Sequence, residues 1–541
     1  MSKQFFIAGL CLLGILAGGL RLFGLAHNPP ALDWDEVSMG YNAYSILKTG
    51  RDEFGRQWPI YFRALDDDKL PMYTYLTAGS IAVFGYNDWA VRFPSAALGT
   101  LTVLVVGVLV YLLWADRRLA VIAAGLMAIL PWQIQFSRMG SEVNVGLFWA
   151  TLGVTLFVWG VTRRPIGLVG AVVSLGLAAY SHLSFRLLAP LLGLSLVWIY
   201  RQKLIKLKKR WRLILGGVGV VVGLVLAVDL WVHKGHVRMR GTSVFETDAA
   251  YAVFKQSERE MVDDASLGIN LVRRLFHDSK WLPTLVVVSR GYLVHWAPTF
   301  LFMDFEEKQH QTPFVGLNYL WMLPFMVVGG YYLVSKGDLR GAKLMWWWLV
   351  LAPVPAAVTR DVPHAGRTLA MSVPLVVMTA FGLRFWLADW RKKVVVGLVA
   401  GVALIHYLHQ YWVHLPQERS QTWQYGRKEM TEYLEVNKQS YDRIVVSIKL
   451  EWPYVFMLYY SQYDPNLYLA QGGTQSGGWG AENNRYGGYE FRRFKAEDFK
   501  DDKTLLVGLP DELEGRVTQV KVIYYKDGSE AVVTGVGRSK N

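Results

Sequence analysis

The chain has 541 residues, 52% of them hydrophobic, and a mean hydropathy of +0.22. Its many separated apolar runs are long enough to cross ~30 Å of hydrocarbon, which excludes a water-soluble multidomain protein. A net charge of +14 would suit a nucleic-acid partner, but the lysines and arginines sit in short clusters between apolar runs, the pattern of membrane topology and not of a basic binding face. The single cysteine, Cys11, excludes an intrachain disulfide.

Eleven apolar runs read as crossings: residues 5–25, 89–114, 119–136, 143–162, 166–182, 185–200, 213–232, 314–334, 344–359, 368–389 and 394–412. The first, with its basic Lys3, resembles a retained signal-anchor. Alternate connections carry the cations: Lys3, "DRR" (116–118), "TRRP" (162–165), "RQKLIKLKKRWR" (201–212), "SKGDLRGAK" (335–343) and "RKK" (391–393), eighteen in all. This bias predicts a multi-pass protein of the plasma membrane with a cytoplasmic N-terminus. The segment 71–85 is apolar but short for a crossing, so it is expected as a helix in the outer interface.

The expected fold is mainly α: a polytopic transmembrane helical bundle with outer juxtamembrane helices and a small C-terminal α/β domain. The boundary is placed at 412/413, with 1–412 as the membrane domain, including outer loops 28–88 and 233–313, and 413–541 as an extracytoplasmic domain. There "DRIVVSI", "KTLLVGL", "VKVIYY" and "AVVTGV" read as strands and "QERSQTWQYGRKEMTEYLEVN" as a helix. The stretch 471–488 is too glycine-rich to be regular. No internal repeat of span pairs is visible, which disfavours a transporter.

This topology brings five polar clusters to one membrane surface: "PPALDWDEVSMGYNAY" (29–44), "LDDDKLPMY" (65–73), "QFSRMGSEVN" (135–144), "YSHLSFR" (180–186) and "VTRDVPHAGR" (358–367). Charges at a bilayer boundary are costly and mark function by default. Asp33 with Glu36 fits a capping box for a helix ending at Gly50. Capping leaves Asp35 unexplained, and Asp35 is the stronger candidate for chemistry. Arg138 with Glu142, and His182 with Arg186, have the spacing of ordinary helical pairs. A guanidinium near a histidine, as in Arg360, His364 and Arg367, also suits a phosphate.

Together these residues resemble the GT-C membrane glycosyltransferases, in particular the group of protein O-mannosyltransferases and lipid A aminoarabinose transferases. The resemblance rests on Asp35-Glu36 after the first span, Thr49-Gly50 ending its helix, Asp68-Lys69 with Pro71 and Tyr73, "AVRFPSAALG" (90–99) and "FSRMGSE" (136–142). It covers roughly residues 5–200 well and the later spans by layout. Leu70 stands where relatives carry a first proline, and Glu142 where many carry aspartate.

The resemblance implies an inverting transfer from a polyprenyl-phosphate-linked sugar to a protein, lipid or glycan acceptor on the outer face. Asp35, Glu36 and Asp68 would be catalytic. Lys69, Arg138, His182, Arg186, Arg360, His364 and Arg367 would hold the donor phosphate. Asp33, Tyr41, Tyr73 and Glu142 would line the acceptor side or the pocket. No metal ligand is assigned and no cofactor is required, although the aspartates could attract a divalent cation. The rivals are a flippase or transporter for lipid-linked sugars, which would place polar residues at mid-span, and a ligase or polymerase, which would gather its cations in one large outer loop. A non-catalytic scaffold would leave Asp35 without purpose.

Overall fold

The computed structural model describes residues 1–65, 67–232, 255, 258–263, 266, 281–305, 309–335, 339–476, 482 and 484–537. Asp66 and most of the expected outer loop before residue 281 lie outside the described residues. The chain forms two compact units. One comprises Met1–Leu20, Gly99–Phe136 and Val143–Ile405; the other comprises Arg21–Leu98, Ser137–Glu142 and His406–Asn541.

The first unit is helical. Among the described residues, eight helices are long and apolar enough to cross a bilayer: Lys3–Leu22 (α1), Asp88–Trp114, Glu142–Thr162, Leu183–Ile205, Lys209–Asp229, Thr284–Phe302, Leu369–Trp386 and Trp390–Glu418. Arg117–Ile129 and Pro131–Arg138 make a ninth if the pair, bent by 55°, is one span. The bend follows from Pro131, which lacks an amide hydrogen and drives Leu130 to an extended ψ of 120°. Three other expected crossings are short helices: Ile166–Ala179, Met322–Ser335 and Leu339–Leu351.

Thr284–Phe302 is a departure from the sequence reading, which left this segment inside an outer loop. Arg290, His295 and Pro298 interrupt its apolar run: Arg290 lies within the helix Trp281–Val294, and a turn at 295–297 joins that helix to the short helix Pro298–Phe302, with His295 Nδ1 lying 2.6 Å from the Gly291 carbonyl four residues back. Packing in this unit depends on small residues. A Cβ on Gly329 would collide with the Met378 carbonyl, and one on Gly382 with that of Phe325. The helices Met322–Ser335 and Ser372–Trp386 therefore touch backbone to backbone, as expected where lipid offers no hydrophobic drive.

The second unit mixes helix and sheet. Helix α2 (Trp34–Thr49) leads to a short antiparallel hairpin, β1 (Phe62–Ala64) and β2 (Asp67–Lys69), and then to α3 (Pro71–Phe84), which has the expected helical form. The C-terminal part is a six-stranded sheet of β3 (Arg443–Val446), β4 (Asn484–Tyr486), β5 (Tyr489–Phe491), β6 (Thr504–Gly508), β7 (Val517–Tyr524) and β8 (Glu530–Gly537). Its order is β4-β5-β3-β6-β8-β7, with β3 parallel to both neighbours and the other pairs antiparallel. The strands β3 and β6 lie within the segments expected as strands, while β7 begins three residues before its segment (520–525) and β8 runs one residue beyond each end of its own (531–536).

The hairpin β4-β5 hides in the glycine-rich stretch because each strand has three residues. Gly487 and Gly488, at φ of 57° and 90°, form the tight two-residue turn that joins them.

The division by compactness differs from the expected boundary at 412/413, for a physical reason. Leu32, Val37, Tyr41, Leu65 and Val91 are buried in one core with Val446, Phe456, Leu458, Tyr468 and Leu505. The acidic loop and its helix thus belong to the same hydrophobic body as the C-terminal sheet.

Candidate functional site

The site is built on the first turn of α2. Asp33 is its N-cap: its Oδ1 accepts the Glu36 amide at 2.8 Å, and Glu36 Oε2 accepts the Asp33 amide at 3.1 Å. This is the capping box expected from sequence, and it satisfies two of the otherwise orphaned donors of the helix start. Gly50 closes the helix in the left-handed region at φ 68°. Burial, then Glu36 and Asp35, push the Asp33 carboxyl well above its ordinary value.

Glu36 is fully buried and held on every side. Arg92 grips it with two bonds, Nε to Oε1 at 2.7 Å and one terminal nitrogen to Oε2 at 2.8 Å. The same guanidinium donates to the carbonyls of Leu25, Pro29 and Ala31. The Gly140 amide donates to Glu36 Oε1 at 2.6 Å. A Cβ on Gly140 would come within 2.9 Å of the Glu36 side chain, so the turn that leads to Glu142 needs glycine there. Glu36, expected as a catalytic residue, has the contacts of a structural anchor.

Arg138, expected on the donor phosphate, is likewise buried among backbone. It donates to the carbonyls of Phe23 and Asn28 and to the Tyr411 hydroxyl, at 2.8, 3.0 and 2.9 Å. Arg92 and Arg138 fasten adjoining parts of the 23–31 segment.

Asp35 is different. Its Oδ1 meets Lys69 Nζ at 2.7 Å; the lysine side chain is 6% exposed and the aspartate 42%. A buried cation therefore faces a carboxylate that remains open to a ligand. Lys69 reaches Asp35 from the end of β2, where it pairs with Phe62. The period-two alternation of a strand turns Asp68 to the face opposite Lys69.

Glu142, Glu36 and Arg92 all act electrostatically on the Tyr73 hydroxyl, which places Glu142 in this neighbourhood. Tyr73 is buried and donates to the Val91 carbonyl at 2.9 Å. Tyr41, expected near the pocket, is a core residue whose hydroxyl donates to the Tyr463 carbonyl at 3.3 Å.

The remaining cations lie in the helical unit. His182 caps the helix Leu183–Ile205 by accepting the Ser184 amide at 3.2 Å. Arg186 forms a buried ion pair with Asp229 at 2.7 Å. Arg367 donates to the Thr359 hydroxyl at 2.7 Å and lies 3.5 Å from Asp361. Arg360, over half exposed, also lies beside Asp361, at 3.7 Å. His364 stacks on His310, which stacks on Phe136, and His295 Nε2 accepts the His364 amide at 3.1 Å. Burial, then Arg367, His310, His182 and His295, hold the His364 imidazole well below its ordinary value. His295 and His310 were not expected here. Their spacing to His364 in sequence carries no period.

One further buried acid was missed. Glu53 Oε1 accepts Asn42 Nδ2 at 2.9 Å, its Oε2 accepts the Thr474 hydroxyl at 2.8 Å, and its carbonyl accepts the Thr474 amide at 3.0 Å. It ties the end of α2 to the start of the glycine-rich stretch, and burial lifts its carboxyl to about 7. Among the described residues no three ligating side chains converge on a point that a metal ion could fill. Asp33 and Glu36 are committed to the helix cap and to Arg92, and Asp35 faces Lys69.

A multi-span helical unit and an acidic first turn carried with a mixed sheet define a class: the architecture is the GT-C fold of membrane glycosyltransferases, and the chain is a multi-pass membrane protein. Residues 68–231 match the family described as dolichyl-phosphate-mannose-protein mannosyltransferase. Over 401 residues the chain is 27% identical to undecaprenyl phosphate-alpha-4-amino-4-deoxy-L-arabinose arabinosyl transferase 1 of Pseudomonas fluorescens. That similarity covers 70% of this chain and 65% of the relative, just under two thirds of its length. Crystal structures of ArnT from Cupriavidus metallidurans superpose over 99% of both chains at 12% identity. Their TM-scores are 0.53 for the apo state and 0.54 for the state bound to undecaprenyl phosphate.

Proposed function

We propose that the chain is an inverting glycosyltransferase that moves a sugar from a polyprenyl-phosphate donor to an acceptor on a protein, lipid or glycan at the extracytoplasmic face. Asp35 takes the acceptor proton as the acceptor oxygen bonds to the anomeric carbon. The bond from that carbon to the phosphate oxygen breaks, and the polyprenyl phosphate leaves with one more negative charge. Lys69 stabilises this charge in a site where low dielectric strengthens it. The observation that carries the proposal is the Asp35–Lys69 pair at 2.7 Å, with the lysine buried and the carboxylate open. The similarity to a transferase whose name specifies an undecaprenyl-phosphate-linked sugar supports the donor class.

Glu142, at the start of its helix, acts electrostatically on Tyr73 together with Glu36, and in this proposal it serves the acceptor side of the pocket. The cation bias of alternate connections supports a cytoplasmic N-terminus and an outer site. In this proposal Lys69 supplies the positive charge opposite the leaving phosphate.

The test incubates purified protein with a panel of labelled polyprenyl-phosphate sugars and follows loss of sugar from the lipid. Wild type consumes at least one donor, and Asp35→Asn consumes none while keeping its elution profile. Consumption at the wild-type rate by Asp35→Asn would remove Asp35 from the mechanism. No consumption of any donor by wild type would overturn the proposal.

A further inference from the structure

The helices Glu142–Thr162 (α4), Ile166–Ala179 (α5), Leu183–Ile205 (α6) and Lys209–Val232 (α7) form a continuous set within the helical unit. Arg186 and Asp229 join α6 and α7 at one end of this set. At the other end lies a cavity of about 400 Å³, lined by residues that include Phe157, Leu168, Leu204, Leu215 and Gly216. This volume falls in the ~300–1,000 Å³ range of small-molecule sites. Arg212 is the one charged side chain in its lining.

The charge around this cavity is of one sign. The α6–α7 connection and the helix ends beside it carry Arg201, Lys203, Lys206, Lys208, Lys209, Arg210 and Arg212, and the α4–α5 turn carries Arg163 and Arg164. No acidic residue occurs anywhere between Glu142 and Asp229. Positive connections orient a membrane protein, but orientation does not require a cavity under the cations. Tyr200, whose ring meets that of Phe157 with centroids 5.7 Å apart, and Trp198 and Trp211, beside Arg201 and Arg210, supply aromatic groups at the same level. An open apolar groove with a guanidinium in its lining and cations and aromatics beside it matches a ligand with a hydrocarbon chain and a phosphate. Basic pockets between membrane helices hold such headgroups, and a forked guanidinium suits the phosphate oxygens.

We infer that this cavity is a binding site for an anionic glycerophospholipid of the bilayer, with an acyl chain in the groove and the phosphate on Arg212. The inference does not rest on the Asp35 chemistry. Gly216 gives a test of the groove: it lines the groove and is exposed, and a Cβ built there meets nothing within 4 Å, so a larger side chain can be placed in the lining without a clash.

The experiment measures lipid retained by the purified full chain in native mass spectrometry after exchange into phosphatidylglycerol, phosphatidylcholine or undecaprenyl phosphate. Wild type is expected to retain phosphatidylglycerol at least tenfold over phosphatidylcholine. Arg212→Gln should lose that preference. Gly216→Leu should lose it too, with every cation in place, and both variants should melt as wild type does in lipid-free detergent. Equal retention of the two phospholipids by wild type would overturn the site. Preference kept by Gly216→Leu would assign it to the loop charge alone and overturn the groove. Undecaprenyl phosphate displacing phosphatidylglycerol from wild type but not from Gly216→Leu would give the cavity to the isoprenoid carrier and overturn the glycerophospholipid.

Discussion

Two adjacent acids, Asp35 and Glu36, have opposite physical fates. Glu36 is sealed and bonded by Arg92, Gly140 and Asp33, whereas Asp35 stays open with one cation against it. Breaking a buried pair by removing one partner leaves an uncompensated charge and costs roughly 3–5 kcal/mol. Arg92→Gln is therefore expected to lower the melting temperature sharply. Asp35→Asn also takes the charge from a buried partner, Lys69, but at a carboxylate 42% exposed to water, so it should lower the melting temperature less while removing transfer; paired thermal scans and donor-consumption assays check both. Lys69→Gln should weaken donor consumption by orders of magnitude. The adjacency of the two acids was legible in the sequence. Which one was the anchor was not, because Arg92 lies 56 residues from Glu36 and no local spacing links them.

At the scale of elements, the helix cap and the Glu53 link are the parts that hold the site in shape. Burial and two neighbouring acids favour the neutral form of Asp33, and a neutral amide can still accept the Glu36 amide hydrogen. Asp33→Asn should thus be nearly silent, while Asp33→Ala costs about 1 kcal/mol of stability, the usual worth of an N-cap. Denaturation of the two variants side by side separates them.

Glu53 gives a pH dependence of known sign. Its carboxyl is lifted from 4.5 to about 7 in the folded chain, so the folded state holds the proton more tightly than the unfolded state. Stability from this residue is greatest below pH 4.5, falls as pH rises towards 7, and levels off above; the loss is up to about 3 kcal/mol. His364, depressed instead, loses stability as pH falls below 6.5. The Glu53 contribution is read from the difference between wild type and Glu53→Gln. The wild-type melting temperature should fall relative to the variant between pH 5 and pH 8, and a constant difference would contradict the link's titration.

For the whole molecule, the C-terminal residues do more than add a domain. Val37 and Tyr41 of α2 are buried in one core with Phe456, Leu458 and Leu505. A chain stopped at residue 412 leaves these side chains uncovered, so α2 should become sensitive to limited proteolysis and Asp35 should lose its setting. Donor consumption is then expected to vanish, although most of the apolar helices remain. Transfer by the full chain should survive chelation by EDTA, since Lys69 supplies the charge opposite Asp35; loss restored by a divalent cation would contradict that assignment.

The sequence by itself determined the membrane class, most of the helices, the capping box and four of the six strands of the C-terminal sheet. All of these rest on local periodicity or on spacings within one turn of chain, where the physics is carried by near neighbours. It missed Thr284–Phe302 because Arg290, His295 and Pro298 break its apolar average, the last two at a turn between two helices, and it missed β4 and β5 because three residues show no period. Tertiary structure alone decided that Lys69 meets Asp35, that Arg92 seals Glu36, that Arg138 serves the backbone, and that α2 shares a core with the distant sheet. Those pairings join residues tens to hundreds of positions apart, and only the burial of a common core brings them together.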